Sequence, residues 1–118
     1  MFDASTLQQL HDVDEVAIRT ARHSDQPVVI WIVAPGEEVF VRSVRGAKGR
    51  WYRDLMADPS ATLEFAGRRL AVRAVAPGDA QAIERASREY LRKYRSSPYA
   101  QTIVRPDQLA TTLRLEPR

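Results

Sequence analysis

The chain has no cysteine among its 118 residues, which excludes disulfides, thiolate metal sites and cysteine nucleophiles. Histidine is nearly as scarce. His11 and His23 are the only two, and neither has a second ligand at metal spacing. Long apolar runs are missing too: the longest, Val28 to Ala34, falls far short of the roughly 20 residues of a membrane helix. The N-terminal Met1-Phe-Asp-Ala-Ser lacks the cationic and apolar regions of a signal peptide, so a cytoplasmic location is expected. Lysine is almost absent, with sixteen arginines against two lysines. Together with abundant alanine, that is the habit of a GC-rich genome. The basic sequence pI near 9.7 is therefore weak ground for a nucleic-acid partner.

What is present is one concentrated patch of positive charge. Arg42-Ser-Val-Arg-Gly-Ala-Lys-Gly-Arg-Trp-Tyr-Arg53 holds five cationic side chains and two glycines with no acid. The remaining thirteen basic residues are outnumbered by fifteen acidic ones, so the net charge of +3 depends on this segment. A long phosphate track needs a broadly basic surface, so nucleic-acid binding is not expected.

The length suits a single domain with one core, residues 1–118. The apolar share of 44% and charged share of 28% are those of an ordinary globular protein. Residues 5–11 read as a short helix capped by Ser5 or Asp3. Glu15 to Thr20 alternates as a strand, and Ser24-Asp-Gln-Pro27 is a turn. Val28 to Val33 is a continuous β-branched run, which predicts a strand covered on both faces with Trp31 in the core. Pro35-Gly36 turns the chain into a strand over 38–43. A helix over 51–57 follows, with Trp51, Leu55 and Met56 inward, ended by Asp58-Pro59.

Residues 61–65 and 69–75 form a second hairpin, and Pro77-Gly78-Asp79 caps a long helix over about 80–94. On its outer face Glu84/Arg88 and Glu89/Lys93 stand at i,i+4 spacing. After an irregular stretch from Ser97-Pro98, residues 110–115 form a last strand. Six strands joined mostly by hairpins predict a small antiparallel barrel with α additions, a closed form that removes exposed edges.

The basic segment is the best candidate site. Ser43, Arg45, Lys48 and the backbone around Gly46 and Gly49 suit a phosphate, because glycines admit close approach and successive N–H groups form an anion nest. The following helix adds its N-terminal dipole. The competing reading is a solvated loop that serves only solubility. Gly46-Ala-Lys-Gly49 also spells the GXXG that clamps nucleic acid in KH domains, but that motif lies between two helices and here a strand precedes it. Trp51 and Tyr52 either stack on a planar ring or belong to the core and its wet edge. His23-Ser24-Asp25 superficially suggests a hydrolytic triad, yet neighbours in a turn cannot supply its spatial geometry.

The order of these pieces resembles the FMN-binding split-barrel class, and more closely its deazaflavin-dependent nitroreductase branch. The likeness rests on the turn Arg22-His-Ser-Asp-Gln-Pro27, the strand and basic loop, the helix Arg50-Trp-Tyr-Arg-Asp-Leu55, Asp58-Pro59, and the hairpin Ala61-Thr-Leu-Glu-Phe with Gly67-Arg-Arg-Leu-Ala-Val-Arg73. With Ser97-Pro-Tyr and the terminal Ala-Thr-Thr-Leu-Arg-Leu, the whole chain looks like an uncharacterised small branch of that class.

The resemblance implies a mainly β, α+β fold. It would be a six-stranded antiparallel split barrel with short bridging helices and one longer helix near the C-terminus. It also implies a homodimer and a bound FMN or deazaflavin coenzyme, in an oxidoreductase passing hydride to a small acceptor. Carried onto this chain, the cofactor-binding residues are Arg22, Ser24, Arg42, Ser43, Val44, Arg45, Gly46, Ala47, Lys48, Gly49 and Trp51. Tyr52 is the nominated proton donor, and Tyr94 and Tyr99 are candidates for a substrate pocket. The turn departs from the family pattern at His23, Asp25 and Val28, where a basic residue, a glycine and a basic residue are usual. FMN and deazaflavin therefore both stay open, as does a non-catalytic module that holds a cofactor or another anionic small molecule.

Overall fold

A computed structural model of the chain describes residues Met1–Arg118. Six strands build one antiparallel sheet: β1 Val16–Thr20, β2 Val28–Ile30, β3 Phe40–Val41, β4 Ser60–Phe65, β5 Arg68–Val75 and β6 Leu113–Pro117. Their order is β2-β1-β4-β5-β6-β3. The two end strands then meet beyond β2, where Val33 and Phe40 exchange both backbone hydrogen bonds at 3.1 and 2.9 Å. The expected antiparallel half-barrel with helical additions is the observed fold.

Alternation sets the inner face. Val16, Ile18, Leu63, Phe65 and Val72 are buried at every second position and meet Leu113 and Leu115 of β6, as a pleated strand with one dry face requires. Two helices cover this core. Helix α1, Ala4–Asp12, is capped by Asp3, whose side chain accepts from the Thr6 N–H, and it buries Leu10. Helix α2, Arg50–Ala57, buries Trp51 and Leu55, while Met56, expected to face inward, is exposed because it falls on the opposite side of the helix. The β4–β5 turn is only Ala66 and Gly67, both at positive φ (50° and 74°). That geometry matches a two-residue primed hairpin turn, although alanine is a poor occupant of it.

A second, smaller core lies outside the barrel. Helix α3, Ala80–Lys93, is capped by Asp79. It presses Ala82, Ala86 and Tyr90 onto Val33 and Phe40, with Ala100 and Ile103 from the following segment. That segment contains a short helix α4, Pro106–Leu109, which the sequence pattern did not predict. No helix is long and apolar enough to cross a membrane.

Two further expectations are corrected. The apolar run from Val28 is not one strand covered on both faces: it pairs with β1 over Val28–Ile30, breaks, and pairs again only at Val33, and Val29 is 62% exposed. Trp31 is half-buried and stacks on Tyr94, with ring centroids 4.1 Å apart and planes 5° from parallel. The outer face of α3 also differs. Glu84 pairs with Arg88 at 3.8 Å, but Glu89 pairs with Arg92 instead of Lys93. Lys93 turns inward and donates from Nζ to the Leu10 and Ile32 carbonyls at 3.0 and 2.8 Å.

Candidate functional site

The basic loop between β3 and α2 is folded on itself. The Gly46 N–H donates to the Ser43 carbonyl at 3.0 Å and the Gly49 N–H to the Gly46 carbonyl at 3.1 Å, forming a single 3-10 turn over Gly46–Lys48. These two amides are therefore spent within the loop. The Gln108 amide of α4 donates to the Val44 carbonyl at 2.9 Å and fixes the loop from outside. Helix α2 starts at Gly49 with no side-chain cap, which leaves its first-turn N–H groups without an intrahelical acceptor.

Ser43 lies against this start. It is buried, and its N–H donates to Thr111 Oγ1 at 3.0 Å. Its own hydroxyl has no protein partner, which is uncommon for a buried polar atom. A Cβ built on Gly49 would overlap Ser43 Oγ, so glycine is what lets strand end and helix start come this close.

A cavity of about 700 Å³ opens beside this junction. Ser43, Arg45, Gly49 and Arg50 bring polar and positive groups to it. Val28, Val29, Ile30, Trp31, Trp51 and Ile103 supply apolar wall, and Glu15 is its sole carboxylate. Of the five exposed large hydrophobic residues, three line this cavity: Val29, Val44 and Tyr99. The exposed large apolar residues of the chain thus gather at this cavity rather than scatter.

The structure brings together Arg42, Ser43, Val44, Arg45, Gly49 and Trp51 around this space. Within that group Arg42 faces away from solvent. Its Nε donates to Thr112 Oγ1 at 2.8 Å, and its terminal nitrogens donate to the carbonyls of Ile103 (3.3 Å) and Ile83 (2.7 Å). The guanidinium also sits 5.3 Å from the Tyr90 ring centre. Burial lowers its pKa from the ordinary arginine value, while carbonyl acceptors and the ring face compensate for lost water.

Gly46, Ala47 and Lys48 stand in the loop but do not line the cavity. Arg22 is exposed in the turn after β1, and Ser24 lines a different, smaller cavity. Tyr52 is half-buried, packs against the barrel core and is not part of the lining.

The first turn is nevertheless tied to the site through α2. Arg50 donates to the Gln26 side-chain and backbone oxygens, both at 2.7 Å. Behind it, buried Asp54 accepts from Thr20 Oγ1 at 2.8 Å and from His23 Nδ1 at 2.6 Å. Burial pushes the Asp54 carboxyl up, but the bonds from Thr20 and His23, with nearby positive charge, outweigh it and hold the group below the ordinary aspartate value. Sequence reasoning missed this trio because His23 and Asp54 lie 31 positions apart. It also missed Arg50 as a site residue, although Arg50 belongs to the basic run. For Trp31 the available signal was a large aromatic within the apolar run Val28–Val33, and that signal pointed to the core instead.

A model of the family described as "Uncharacterized protein conserved in bacteria (DUF2255)" matches residues 6–115. The chain belongs to that family. No curated protein matches its sequence. Among solved structures, this DUF2255 chain is similar to the conserved hypothetical protein Rv2991 from Mycobacterium tuberculosis. The TM-score is 0.61 at 13% identity, covering 98% of this chain and 78% of the other. It is also similar to a protein described as F420 reductase, with a TM-score of 0.53 at 16% identity, covering 94% of this chain and 91% of that one. At such identities the likeness establishes that the DUF2255 chain shares their fold.

Proposed function

We propose that the cavity holds a flavin or deazaflavin cofactor and that the protein is an oxidoreductase acting on a small acceptor. The observation that carries this reading is the unpartnered hydroxyl of buried Ser43 beside the uncapped start of α2. A phosphate there would accept from the hydroxyl and from the first-turn N–H groups, with Arg45 and Arg50 supplying charge. The apolar wall and the Trp31 and Trp51 rings suit a planar ring system. The resemblance to the FMN-binding split-barrel class and the fold shared with an F420 reductase support the same assignment.

When bound, such a ring supplies the hydride chemistry, and the protein's part is to bind, orient and exclude water. On this reading Ser43, Arg45 and Arg50 hold the anionic end. Gly49 provides the close approach, Val44 and Trp51 border the ring space, and Arg42 keeps β3 in place from behind. Arg22, Ser24, Gly46, Ala47 and Lys48, expected at the cofactor, shape or flank the loops instead. A second copy covering Val29, Val44 and Tyr99 would close the mouth, which makes a homodimer the expected assembly.

The test is a fluorescence titration with FMN and with the deazaflavin coenzyme. One of the two should bind, weakening about tenfold or more in Arg45→Gln and changing little in Lys48→Ala. Absence of binding to either cofactor refutes the assignment. A second reading, a non-catalytic cofactor carrier, draws on the position of Tyr52 outside the cavity lining. Turnover of an acceptor by the reduced, bound cofactor selects the enzyme, and Tyr52→Phe then tests proton donation: lost turnover with intact binding assigns that role to Tyr52.

A further inference from the structure

A second cavity, of about 290 Å³, lies on the outer face of the β1–β4 pair. Three arginines line it, Arg19, Arg69 and Arg118, together with the hydroxyl residues Thr20, Ser24, Ser60 and Thr62. The pleat explains the grouping: Thr62 stands opposite Arg19 across the strands, and Arg69 stands opposite Glu64. None of these residues except Ser24 belongs to the basic segment or the first turn.

The three guanidinium groups are held in place but incompletely used. Arg19 pairs with Glu64 through Nε and donates from one terminal nitrogen to the Ser24 carbonyl at 2.7 Å. Arg69 meets the other Glu64 oxygen at 3.2 Å through its Nε, and its side chain is 71% exposed. Arg118 donates from Nε to the Val72 carbonyl at 3.3 Å and from a terminal nitrogen to the Ala61 carbonyl at 3.2 Å. One carboxylate thus serves two arginines, and the third is anchored by neutral carbonyls. Each guanidinium carries more N–H donors than these bonds consume. Thr20 Oγ1 is occupied by Asp54, which leaves Ser24, Ser60 and Thr62 as hydroxyls at the rim.

We propose that this cavity is an oxyanion site for a phosphate group, separate from the cofactor cavity. Pre-positioned planar forks with hydroxyl donors between them match a tetrahedral anion with several acceptor oxygens. The volume suits a phosphate with a few waters. Positive charge in excess of Glu64 favours a dianion over a single carboxylate. The anion comes either as free phosphate or as the phosphate end of a small organic ester, and the two share this recognition.

Calorimetric titration of the full chain with inorganic phosphate, at neutral pH and low salt, reads the site. Binding should persist in Arg45→Gln, which weakens any phosphate held in the other cavity, and in that background Arg69→Gln should weaken it about tenfold, the loss of one charge-assisted contact. Thr62→Val, which retains a β-branched strand residue, provides a second reading should Arg69→Gln lower the melting temperature. Ribose 5-phosphate binding as tightly as inorganic phosphate identifies the ester as the source, and weaker binding identifies the free ion. The proposal is overturned by absence of phosphate binding, or by phosphate binding that Arg69→Gln and Thr62→Val both leave unchanged. Loss of all binding in Arg45→Gln, or acetate competing as well as phosphate, overturns it equally.

Discussion

The hydroxyl of Ser43 occupies the space that a Cβ at Gly49 would need. Gly49→Ala should therefore force β3 and α2 apart and cost about 1–3 kcal/mol, the usual cost of overpacking a tight contact. Ser43→Ala should behave in the opposite way. It deletes a buried hydroxyl without a partner, so thermal stability should hold or rise, while cofactor affinity falls. Paired melting and binding measurements check this: a parallel loss of both in Ser43→Ala would contradict the role assigned to the hydroxyl.

Arg42 is an internal strut, and truncating it should be costly. Arg42→Met removes the donor to the Ile83 and Ile103 carbonyls and to Thr112 Oγ1; Thr112 Oγ1 keeps its bond to the Leu109 carbonyl, and each buried carbonyl left unsatisfied costs about 1–3 kcal/mol. Urea denaturation of the variant should show a clearly lower midpoint with a similar slope.

Ala66 is the only non-glycine residue at positive φ. Asparagine tolerates that region better than alanine. Ala66→Asn should stabilise the fold by about 0.5–1 kcal/mol, readable as a modest rise in melting temperature. Unchanged or lower stability would show that the turn relaxes to another geometry.

How much of this was open to the sequence depended on range. The pleat of β1, β4 and β5 could be read because alternation is local, and α3 could be read from its Asp79 cap and apolar spacing. The run from Val28 misled because β-branching reports strand preference and says nothing of which neighbours arrive. Tyr94, far along the chain, gives Trp31 its place. The same limit hid the His23–Asp54 contact and the inward turn of Lys93. Charge clustering located the cavity wall in the basic segment, but it could not tell Arg45 from Arg42, which also borders the cavity but whose guanidinium is spent on Thr112, Ile103 and Ile83.

Lys93 offers a check on that interior. Burial lowers its pKa to about 8 from 10.5. Because the folded value lies below the unfolded one, the unfolded chain holds more protons between them, and this group's contribution to stability rises with pH across that window. Lys93→Gln should remove that pH-dependent part. Nζ chemical shifts, followed by NMR during a pH titration, should give a midpoint near 8.

Asp54 acts at the acid end with the same sense, its contribution to stability also rising with pH. Its folded pKa is held below the ordinary aspartate value, so its contribution is present above the unfolded pKa and is lost as pH falls through the folded one. Asp54→Asn should be less stable than the parent at neutral pH, and the difference should shrink as the solution is acidified below the usual aspartate range. Denaturation curves taken across that range test the trend.

Val33 and Phe40 close the barrel with a single bridged pair, and both side chains lie wholly buried beneath Ala82, Ala86 and Tyr90. The seam is therefore clasped from outside by α3 more than by its own short ladder. Trp31 and Arg42 flank that seam and also border the cavity. A helix that contributes no side chain to the cavity thus governs how wide it stands.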